Sequence, residues 1–150
     1  MSRMYTVPFE NLSVTNDSTQ DVWQITAPST AAVVLHHMEL YSAVTTDERV
    51  RLIMQRVTGA GSGGSAMTEV PLDPAESAAA AAVVTLNTTP GTTTTILHAW
   101  YWSQLSPLIW LPTPECRVVL APSAIVVLNL ATAVASTRNW SGFLTWQEVG

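Results

Sequence analysis

Residues 77–114 contain no Asp, Glu, Lys or Arg, and no lysine occurs anywhere in the 150 residues. Charged residues make up 11% of the chain, against about 25% for an ordinary soluble domain. A fold built from such a chain has few ionised groups to spread over its surface, and a monomer with that surface is hard to keep in solution. The expectation is that protein covers much of it, either copies of the same chain or a larger assembly.

Apolar material is plentiful. Hydrophobic residues reach 47% and there are six Trp, enough for one domain with a sizeable core and against general disorder. The net charge of −5 and six scattered Arg cannot track a phosphate backbone, so nucleic acid is not an expected partner. The lone Cys116 excludes an internal disulfide and reads as a small buried hydrophobe. Met1 to Pro8 hold no apolar run of signal-peptide length. Residues 118–137 are free of charge and long enough to span a bilayer. Pro122, Ser123 and Asn129 interrupt them, however, and two buried strands around a Pro-Ser turn explain the stretch better than a membrane span.

Periodicity points to β structure. Residues 1–20 read as an extended N-terminal arm or edge strand ahead of a single domain over 21–150, and 21–27 form a strand stopped by Pro28. Residues 31–41 and 48–57 fit either a helical stripe or alternating strands. As strands, Val34, His36, Met38 and Leu40 share one face of the first, and Val50, Leu52 and Met54 one face of the second. The polar turn at 45–47 and the Gly-rich loop at 58–65 favour a hairpin. Asp73, Pro74 and Glu76 carry the chemistry of a helix start, so one short helix is expected near 74–81. A long strand over 92–105 places Ile96, His98, Trp100 and Trp102 on one face and Leu97, Ala99 and Tyr101 on the other. Further strands follow to 149. About eight strands separated by Pro, Gly, Ser and Thr turns predict an all-β chain, an antiparallel β-sandwich or jelly roll.

No catalytic motif stands out. Gly59, Gly61 and Gly64 match a dinucleotide fingerprint. Pro71 forbids the long helix the fingerprint requires, and no acid follows at the right distance, so the segment reads as a flexible hairpin tip. His36, His37 and His98 raise a cupin-like metal site, but adjacent histidines in a strand face opposite ways, and His37 with Glu39 supplies only two ligands; core or interface histidines are the default. Trp100, Trp102 and Trp110 could stack on sugar, yet only Gln104 among their neighbours could bind hydroxyls. Aromatic, charge-poor surface is the composition of protein interfaces. Trp100, Trp102 and Trp110, with Tyr5 and Phe9 of the arm, are therefore the expected contact residues. Neither a cofactor nor an enzymatic activity is expected.

Five stretches carry a likeness. Residues 33–41 lead to 49–56 and a Gly-rich tip, 110–115 lead into a strand, 125–130 are uncharged, and 142–148 close the chain. In strand order and style the chain resembles the small jelly-roll decoration, or cement, proteins on the capsids of tailed bacteriophages. The resemblance covers residues 20–150 and includes no signature motif. It implies a virion protein on the outer capsid surface, bound to the major capsid protein as a homotrimer or related oligomer, with an N-terminal arm reaching a neighbour. A carbohydrate- or receptor-binding jelly roll is the alternative.

Overall fold

The computed structural model describes residues 2–16 and 18–150. Eleven strands form two antiparallel sheets. They are β1 (Ser2–Val14), β2 (Gln20–Thr26), β3 (Ala32–Ser42), β4 (Arg49–Gly59), β5 (Val70–Pro71), β6 (Val83–Asn87), β7 (Thr92–Ser103), β8 (Leu108–Trp110), β9 (Val119–Leu120), β10 (Ile125–Leu130) and β11 (Arg138–Val149). The first sheet runs β5-β1-β11-β3-β8, with β9 also on β3; the second runs β6-β2-β10-β4-β7. Omitting the short β5 and β6, the chain winds between sheets in jelly-roll order: β1-β11-β3 with β8 and β9 opposite β2-β10-β4-β7. The all-β sandwich expected from the turn spacing is the fold observed.

The core lies between the sheets. Trp23, Trp140, Trp146, Tyr5, Leu35, Met38, Leu52 and Leu128 are fully buried there. In β11, Trp140, Leu144 and Trp146 are buried while Phe143 and Gln147 are not, although Thr145 between them is covered as well. In β3 and β7 the alternation is broken by bulges. Register shifts between Thr145 and Trp146 of β11, leaving His36 of β3 unopposed, so Val33 and Leu35 are buried together with Met38 and Leu40. Val34 and His36, expected on the face of Met38, fall outside it. In β7 the shift falls at Leu97, and Ile96 turns outward to 53% exposure instead of sharing the face of His98, Trp100 and Trp102. One inserted residue reverses parity for everything beyond it.

Other expectations fail for equally local reasons. Residues 31–41 and 48–57 are strands, but not a hairpin: β3 lies in the first sheet and β4 in the second. β4 pairs instead with β7 across the insertion 60–91. Residues 2–14 are no free arm. β1 pairs with β11 from Ser2↔Val149 to Val14↔Arg138 and buries Tyr5, Val7, Phe9 and Val14. Met1 and Asp17, part of the expected arm, lie outside the described residues.

The helix start at Asp73 makes only a turn. Glu76 N–H donates to Asp73 O at 3.0 Å, and Ala75 N–H to Asp73 Oδ1 at 2.9 Å. The alanines beyond are held out of a helix by other partners. Glu148 of β11 accepts from the N–H groups of Ala81 and Ala82 at 2.9 and 2.8 Å, and Tyr5 Oη donates to Ala78 O at 3.3 Å. A buried carboxylate that satisfies two backbone donors outweighs the modest helix preference of alanine.

The Gly-rich segment is not a hairpin tip. It runs back along β6, bridging Ser62↔Thr89 and Ala66↔Thr85. Gly63 has φ +75°, and a Cβ on Gly64 would land on the Leu86 carbonyl oxygen. The glycines permit close backbone approach.

Candidate protein interface

The two long sides of the sandwich are finished differently. On one side the insertion 60–82 covers both sheets: its first part lies along β6, β5 pairs with Tyr5 and Thr6, and the alanine run is tied to Tyr5 and Glu148. On the other side β7 and β8 end their sheets, joined by a turn in which Ser106 N–H donates to Ser103 O at 3.1 Å.

Aromatic contacts hold this second side together. His98 stacks on Trp100 with centroids 5.6 Å apart and tilts against Trp110 of β8 at 5.7 Å, so the ring links the two sheets. Trp102 meets Trp140 edge-on at 5.0 Å and donates Nε1–H to Ser106 O at 2.7 Å. Behind the turn, Gln104 is buried; it accepts from Trp140 Nε1 at 2.9 Å and donates to Glu48 Oε2 at 3.2 Å. Glu48 also pairs with Arg138 at 3.3 Å. The turn is pinned from below by these contacts.

The expected contact residues are mostly structural. Trp102 and Trp110 are buried at 3% and 7% exposure, and Tyr5 and Phe9 belong to the core. They are unavailable to a partner because the chain itself covers them. Trp100 is partly buried. The apolar groups left outside are their neighbours: Ile96, Tyr101, Leu105, Ile109 and Leu111, each more than half exposed and Tyr101 77% exposed. All lie in the charge-free segment. Charge stands beside this set rather than within it: Arg51 is the cross-strand partner of Tyr101, Glu39 that of Ile109, and Asp47 accepts from Ser103 Oγ at 2.6 Å. The signal for Tyr101 was in the sequence: it sits opposite the tryptophans in the alternation, and both faces are apolar.

A second cluster lies on the outer face of the first sheet. His37 Nε2 is 2.9 Å from Glu39 Oε1, Tyr41 Oη donates to Glu39, and His37 meets Phe143 edge-on at 4.9 Å. The hydrogen bond to Glu39, then partial desolvation, raises the Tyr41 phenol above its ordinary pKa. His36 turns away to Gln147 at 3.0 Å. Among the described residues no three His, Cys, Asp or Glu groups gather as metal ligands. Three clefts among the described residues, of about 300, 290 and 180 Å³, are lined around Arg138, around Arg3 with Glu148, and around Arg3 with Glu76. None brings a nucleophile to a base. Cys116, expected inside, is exposed in the 3-10 turn Pro114–Cys116, none of whose residues is buried.

Comparisons with models of protein families, with characterised proteins and with solved structures find no match to this chain.

Proposed function

We propose that this chain is a non-catalytic structural protein that acts by assembling, with copies of itself and with a larger protein lattice, and that the lattice is the outer surface of a viral capsid. One observation carries the reading: the long side of the sandwich formed by β7 and β8 exposes Ile96, Tyr101, Leu105, Ile109 and Leu111 with no charged residue among them. Exposed apolar side chains gathered along one charge-poor side of a domain mark contact sites, and the aromatic contacts behind them hold that side in place, which lowers the ordering cost of binding. The capsid rests on the resemblance to decoration proteins, which the jelly-roll winding supports.

The glycan-binding reading needed exposed Trp faces, and two of the three candidate rings are buried; nothing in the geometry favours it. The test is co-sedimentation with tailed-phage capsids stripped of their external proteins. Saturable binding that stiffens the shells against heat is expected. A chain that neither binds shells nor associates with itself would remove the reading.

A further inference from the structure

Free sheet edges invite pairing, and folds that must avoid it blunt them with proline, charge, bulges or a covering segment. Three of the edges here are blunted or short. Beyond its contact with β5 at Tyr5 and Thr6, β1 carries Pro8, which lacks an N–H, then Glu10, then a bulge between Phe9 and Leu12 with Asn11 at φ +54°. β6 is overlaid by the glycine segment through Ser62 and Ala66. β8 has three residues.

β7 differs along its length. Its first half is bulged, with register breaks against Gln55, Val57 and Gly59. Its second half, 98–103, pairs with β4 without a break from His98↔Met54 to Ser103↔Arg49, and holds no proline, glycine or charge. No backbone hydrogen bond to another element is formed on its far side among the described residues. This stretch is the one long regular edge left unguarded.

From this, and building on the assembly reading above, we propose that the edge 98–102 is a self-pairing site: β7 of a second copy joins it antiparallel about a twofold axis, extending the five-stranded sheet to ten strands across two chains. With a second copy as the occupant, its strand follows by elimination, because among the described residues the one comparable edge it can offer is β7 itself. The register follows from parity. Partners across an antiparallel pair point to the same face, so the axis passes through a residue. With Trp100 on the axis, Ala99 meets Tyr101 of the second copy and His98 meets Trp102. The small Ala99 leaves room for the large Tyr101, and the partly buried Trp100 rings meet each other. With Tyr101 on the axis, Ala99 would face Ser103, which is already committed to Asp47. Such a contact is isologous and closes at two copies. The trimer implied by the resemblance would need a different surface.

The double variant Ala99→Lys/Tyr101→Lys tests this. Both positions are exposed, so near-UV circular dichroism and the melting temperature should match the parent. The parent should sediment at twice 16.1 kDa, and the variant, with like charges opposed across the axis, at the mass of one chain. Amide exchange at 98–102 should slow with concentration in the parent only. A dimer that survives the two lysines, or one that leaves exchange at 98–102 unchanged, overturns the pairing and leaves the assembly reading intact. So does a parent that is a single chain in solution yet binds shells; slowing of exchange at 98–102 only on shells would put a capsid strand in the same place. A single chain that binds nothing overturns both.

Discussion

Asp21 shows how much a single side chain decides. It is fully buried in β2, accepting from Asn129 Nδ2 at 2.9 Å and from Gly91 N–H at 3.0 Å. Nearby, Gln24 Oε1 accepts from Gly61 N–H at 2.9 Å and Asn87 Nδ2 at 3.0 Å. Together the two side chains clip both ends of the insertion to the second sheet. Burial raises the carboxyl above its ordinary 3.8, with the hydrogen bonds opposing, so the folded protein holds this proton more tightly than the unfolded chain. The stability the group contributes is then full below about pH 3.8 and declines as pH rises through the raised folded value. Urea unfolding of the parent and Asp21→Asn, run from about pH 3 to about pH 7, should give a stability difference that shifts against the parent as pH rises and then levels. A difference independent of pH would refute the assignment. Gly64→Ala tests the close approach: the added methyl meets the Leu86 carbonyl, and a loss of about 1–3 kcal/mol in the same assay is expected.

Strands with one uninterrupted alternation were readable in advance, and bulged ones were not. In β11, Leu144 and Trp146 are buried while Phe143 and Gln147 are not, as a period of two over those letters requires. In β3 and β7 the sequence carries no mark of the extra residue at His36 or Leu97, so the faces of Val34 and Ile96 were misassigned. Pairing was hidden for another reason: Asp47 and its neighbours look like a hairpin turn, yet the chain there changes sheets. Glycines that permit close approach carry the same letters as glycines in a loose loop. The contact surface was legible only in part, since aromatic content located β7 but could not show that the tryptophans face inward. Their role as struts is testable. His98→Ala removes the ring that touches both Trp100 and Trp110, and should cost about 1–3 kcal/mol while freeing β8. Faster amide exchange in β8 than in β10 would show it; uniform loss would not.

The whole molecule is closed by its two outermost strands. β1 sits between β5 and β11, and its pairing starts at Ser2↔Val149. Deleting residues 2–14 would therefore strip Tyr5, Val7, Phe9 and Val14 from the core, a loss of about 2–5 kcal/mol for each larger group against a total stability of about 5–15 kcal/mol. The truncated chain should show no cooperative melt by circular dichroism; a detachable arm would leave the melt unchanged. The same closure bears on how the protein is made. A ribosome releases β1 well before its neighbour β11, so the first sheet lacks its central strand until residues 138–149 have emerged. Until then the uncharged middle of the chain stands without the sheet that covers it, and its apolar side chains are open to unwanted contacts.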